Sequence, residues 1–63
     1  MTLRNLFMAC GDMTSESSFF ISTVGTDVYT SFNGWDEIPE EMKNAKVFGF
    51  SYYKSDEWCI VIK

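Results

Sequence analysis

The single proline of the chain, Pro39, sits in a stretch no β-strand would accommodate: residues 33–47, NGWDEIPEEMKNAKV. Asp36, Glu37, Glu40 and Glu41 place four carboxylates within six positions around it. Proline lacks an N–H and fixes φ, so it suits the first helical position, and acidic side chains favour the positive end of the helix dipole. Ile38, held out of the helical region by the proline that follows, then takes the N-cap position. Lys43 complements the other end, and Asn44 can adopt the left-handed conformation that stops a helix. The stretch is therefore expected to form a short helix, and it divides the chain into two halves.

Each half contains two strand-like runs. Residues 18–24 (SFFISTV) and 27–32 (DVYTSF) are rich in aromatic and β-branched side chains. Gly25 and Thr26 between them fit a two-residue hairpin loop with glycine first. Beyond the helix, residues 46–53 (KVFGFSYY) and 58–63 (WCIVIK) flank the turn 54–57. Period-two alternation puts Phe48, Phe50 and Tyr52 on one face and Trp58, Ile60 and Ile62 on another, and the two triplets are expected to pair as the core. At the start, Leu3, Leu6, Phe7 and Cys10 recur at helical spacing over residues 2–10, with Thr2 as N-cap and Gly11 as terminator. The expected order is α-β-β-α-β-β: a single α+β domain over residues 1–63, with an antiparallel sheet of about four strands and one or two short helices.

Sixty-three residues can hide only about 60 % of the surface of the unfolded chain. Domains of this size usually gain stability from a disulfide, a metal or a partner. With no histidine and two cysteines 49 positions apart, Cys10 and Cys59, no zinc spacing exists, and no cofactor or metal is expected. The apolar neighbours of both cysteines point to free, buried thiols. Residues 1–13 have too short an apolar run for a secretory segment, and no run spans a membrane, so a cytoplasmic chain is expected. That leaves a partner. Eleven aromatic rings exceed what so small a core can hide, and exposed Tyr and Trp anchor interfaces, so self-association into a homo-oligomer is expected.

The net charge of −4 and five unclustered basic residues disfavour binding to a phosphate backbone, which depends on Lys and Arg. Without histidine, a nucleophile elbow or a carboxylate pair held in a cleft, no catalytic machinery is legible, and a non-enzymatic role is expected. The four scattered glycines form no phosphate-cradling loop. The candidate binding surface is the acidic cluster Asp36, Glu37, Glu40 and Glu41 with Trp35 beside it and Tyr53 as a further aromatic anchor. The same carboxylates also suit a plain helix start. Tyr29, Trp35, Tyr52 and Tyr53 form a second candidate set, either as core or homomeric contacts or as stacking platforms for bases.

Leu3–Phe7, residues 36–42 (DEIPEEM), 46–51 (KVFGFS) and 60–62 (IVI) together resemble short orphan proteins encoded by phages and prophages of Firmicutes hosts. The resemblance implies a setting but no site residues: small acidic proteins of this kind, anti-CRISPR proteins among them, block host defence by binding it. The function expected is that of a non-catalytic accessory protein that occludes a protein target, such as a basic nucleic-acid-binding component of bacterial defence, its carboxylates imitating phosphates. The alternative is an oligomeric nucleic-acid- or nucleotide-binding module that uses exposed sheet aromatics.

Overall fold

The computed structural model describes residues 1–63 and has the expected element order. Helix α1 spans Leu3–Ala9, strand β1 Ser18–Thr23, β2 Thr30–Phe32, a 3-10 turn Trp35–Glu37, helix α2 Glu40–Lys43, β3 Val47–Lys54 and β4 Glu57–Ile62. No helix is long and apolar enough to cross a membrane.

The sheet is mixed, which corrects the antiparallel expectation. Its order is β2-β1-β4-β3; β2 and β3 pair antiparallel with their neighbours, but the two central strands run parallel, from Ser18 opposite Glu57 to Thr23 opposite Ile62. The two hairpins therefore join side by side, with the last strand inserted beside the first. Alternation of side chains is the same beside a parallel or an antiparallel neighbour, so the pattern carries no sign of this direction.

β4 alternates cleanly: Trp58, Ile60 and Ile62 are buried on one face, while Cys59 and Val61 are half-buried on the other. Phe19 and Ile21 of β1 share the covered face, and they meet Leu3 and Leu6 of α1 together with Met13, Trp35 and Ile38. The adjacent Phe19 and Phe20 are thus divided between the two faces.

β3 corrects a second expectation. Phe50 and Tyr52 do lie opposite Ile60 and Trp58, yet they remain 51 % and 60 % exposed, and Phe48 is 63 % exposed. The cause is coverage. Four strands make a sheet about 14 Å wide between outer strand axes, whereas one helix is about 10 Å across. α1 covers the central pair, and the four-residue α2 adds little.

Local chemistry accounts for the remaining differences. Thr2 caps α1 as expected, its hydroxyl accepting the Asn5 N–H while the Asn5 side chain accepts the Thr2 N–H. That helix ends in extended backbone at Cys10; Gly11 follows at the expected position but without the positive φ of a glycine terminator. Gly25, at φ +91°, is the third residue of the turn 23–26 closed by Thr26 N–H donating to Thr23 O (3.1 Å). A positive φ there belongs to a type II turn, which splays the strands it joins, and pairing with β1 starts only at Thr30. The N-cap of α2 falls on Pro39, one position later than the expected Ile38; Ile38 is buried in the core, and Asn44 ends the helix in right-handed geometry.

Candidate functional site

The six residues expected to form one surface lie in three places. Trp35 belongs to the core. It is 9 % exposed, stacked on Phe7 (centroids 4.0 Å apart, planes 11° apart), edge-on to Phe19, and has Lys43 Nζ 5.0 Å from its ring centre. A ring enclosed in this way cannot anchor a partner, which corrects that assignment.

Asp36, Glu37, Glu40 and Glu41 are all exposed around the start of α2. Two of them are already occupied. Both oxygens of Glu40 accept from Arg4 Nη2 of α1, and this hydrogen bond, with the positive charge behind it, holds the Glu40 carboxyl below the usual range. Glu37 Oε1 accepts the backbone N–H of Asn33 (3.1 Å). The cluster thus ties its own segment to α1 and to the preceding turn.

Tyr53 is 58 % exposed on the opposite side of the sheet. It stands edge-on to Phe20 (6.1 Å, 75°), with Lys54 Nζ 5.4 Å from its ring centre. Phe20, Tyr29, Tyr53 and Cys59 line a shallow apolar depression of about 290 Å³. Because Phe19 holds Trp35 and its neighbour Phe20 faces Tyr53, the sheet separates the two aromatic residues of the expected site.

Acidic and aromatic groups do meet elsewhere. At the turn end of the β3–β4 hairpin, Asp12, Tyr52, Ser55, Asp56 and Trp58 line an open-sided cleft of about 530 Å³. Tyr52 and Trp58 are paired across the hairpin, with ring centres 5.2 Å apart and planes at 77°. Asp12 comes from the loop after α1, and Asp56 from the hairpin turn. Asp56 takes the left-handed conformation (φ +62°). Ser17, fully buried, donates its hydroxyl to Asp56 Oδ1 (2.9 Å), and Ser18 N–H donates to Asp56 O (2.8 Å). One carboxylate of the cleft is therefore held in place from both ends. Trp58 is 5 % exposed, and its Nε1 is buried without a hydrogen-bond partner. An orphaned buried donor of this kind costs about 1–3 kcal/mol.

Sequence reasoning missed this cleft because Asp12 and Asp56 are isolated in the chain and lie 44 positions apart. The one available signal was the turn 54–57, where an Asp in the third position tolerates left-handed backbone.

The carboxylates and the exposed ring of Tyr52 suit a positively charged group. No group of His, Cys, Asp and Glu side chains is placed to hold a metal ion. No family model, curated protein or solved structure matches the chain.

Proposed function

We propose that this protein is a non-catalytic interaction protein that binds a protein target by receiving one of its cationic side chains in the cleft between Asp12, Asp56, Tyr52 and Trp58. One observation carries the reading: two carboxylates and the exposed ring of Tyr52 border one cleft, over a buried Trp58 whose N–H is unpaired. Ammonium and guanidinium groups are attracted both to carboxylates and to aromatic faces. A lysine or arginine borne on a peptide also brings a backbone carbonyl, an acceptor of the type Trp58 Nε1 lacks.

The magnitudes bound how such a site works. An exposed ion pair contributes about 0.2–1 kcal/mol, and an exposed cation–π contact about 0.5–1 kcal/mol. Two carboxylates and one ring together give about 1–3 kcal/mol, short of the roughly 4 kcal/mol that a millimolar dissociation constant represents. A single free cation is held weakly, and useful affinity needs further contacts along the adjoining exposed strand β3. The natural target is accordingly a basic protein surface. The setting of a phage or mobile element, acting on a host defence component in a bacterial cytoplasm, rests on the sequence resemblance alone.

The test follows the two indole N–H signals by NMR while oligolysine is added, with oligoglutamate as control. The Trp58 signal should move and the Trp35 signal should not, and added salt should reduce the effect. Asp12→Asn with Asp56→Asn should abolish it. Equal movement of both signals, or an unchanged response in the double variant, would refute the reading. Saturable binding of single-stranded DNA that broadens Tyr29 and Tyr53 would favour base stacking on the open sheet face instead.

A further inference from the structure

The outer edge of β3 has a defined free length. Val47 N–H points outward and donates to Met1 O (2.9 Å), and Thr2 bridges Lys46, so the first two residues of the chain close the edge at that end. Past Lys54 the chain turns into β4. Residues 48–54 lie between. The direction of their backbone groups follows from β4: Lys63 N–H donates to Lys46 O, while Ile62 O accepts from Val24 on the β1 side. Alternation from there aims Ile60 and Trp58 at β1, so their partners Phe50 and Tyr52 present N–H and C=O to the free edge.

This stretch carries four aromatic residues, Phe48, Phe50, Tyr52 and Tyr53, each more than half exposed. Its one charged residue is Lys54. Long apolar edges with unpaired backbone groups are templates for another strand, and proteins normally blunt them. Bulges lie near both ends, between Val47 and Gly49 and between Tyr52 and Lys54, but the part between them is regular. The opposite edge of the sheet, β2, has three residues and offers no comparable template.

We propose that two copies of this chain pair antiparallel through β3, about a two-fold axis at Ser51. The midpoint of the free stretch 48–54 is residue 51, so self-pairing about it uses the available edge and no more. Phe50 of one copy then lies opposite Tyr52 of the other, twice, and these are the residues whose backbone groups face outward. Ser51 meets itself across the axis. Lys54 falls opposite Phe48 of the second copy, so no like charges oppose. Moving the axis to Phe50 would drive the end of the partner strand against Met1 and Thr2. The pairing makes an eight-stranded sheet and sets Phe50 of the second copy beside Tyr52, the outer wall of the acid–aromatic cleft.

Sedimentation equilibrium tests the assembly, and a cysteine at the axis tests its register. The protein should show twice the chain mass, and Phe50→Lys should return it to the monomer mass. Ser51 pairs with Cys59 within the chain, so the crosslinking variant is Ser51→Cys in a Cys10→Ser, Cys59→Ser background. On mild oxidation it should form a covalent dimer, because residues opposite each other in a non-hydrogen-bonded pair come within disulfide reach. Monomer mass at every concentration, without crosslinking, would overturn the proposal and leave the edge for an extended segment of another protein. A dimer that Phe50→Lys leaves intact, or one that crosslinks through Phe50→Cys and not Ser51→Cys, would overturn it equally.

Discussion

Asp56 shows how much one residue can hold in a domain this small. It occupies the hairpin turn in a conformation that costs most L-residues about 1–2 kcal/mol, and its side chain and its carbonyl each accept a hydrogen bond from the start of β1. Asn shares its tolerance of that conformation and retains an acceptor; Ala has neither. Asp56→Ala should therefore lower stability by about 2–3 kcal/mol, the strain together with one lost hydrogen bond, whereas Asp56→Asn should change it by less than about 1 kcal/mol. Urea denaturation followed by tryptophan fluorescence checks both. Equal losses in the two variants would mean that the backbone conformation carries no part of the effect. Trp35 illustrates the reverse situation: its neighbours in the chain are acidic and exposed, so in sequence it reads as a surface ring. Only its contacts with Phe7 and Phe19, 28 and 16 positions away, place it in the core.

At the scale of elements, the clearest signals were local ones. Thr2 marked the start of α1, and a helix of seven residues depends on that cap because it is too short to persist alone. Thr2→Ala should cost about 1 kcal/mol, measurable as a lowered urea midpoint at unchanged slope; no shift would show that the Leu3 N–H bond to Ala45 O suffices to start the helix. The order of the elements was legible too, since each strand run is bounded by turn residues. What was not legible depends on groups distant in sequence. The parallel joining of β1 to β4 leaves no mark on alternation, and the exposure of β3 follows from how little helix is available to cover it. The same limit applied to the site: charge density along the chain drew attention to residues 36–41, while the carboxylates that share a cleft with aromatic rings came from two separate turns.

For the molecule as a whole, the pair Arg4–Glu40 is the ion pair linking the two helices. Because the folded state holds the Glu40 carboxyl below its ordinary range, its stabilising contribution is fully present above about pH 4.3, the value of a free glutamate, and is lost as pH falls through the lowered folded value. Removing Arg4 should then matter at neutral pH and cease to matter in acid. Urea denaturation of the Arg4→Ala variant beside the parent should show a gap in midpoint at pH 7 that closes as the pH falls below the ordinary glutamate range and narrows with salt at pH 7. A gap that persists unchanged in acid would assign the loss to packing of the arginine stem. The placement of β4 bears on a different process, synthesis on the ribosome. β4, the last of the four strands to be made, fills the centre of the sheet, so β1 keeps its inner edge open, and α1 lacks the core side chains Trp58, Ile60 and Ile62, until Ile62 has left the exit tunnel. Folding of residues 1–63 thus waits for β4, and nascent chains halted before residue 57 should remain open to proteases however long they wait.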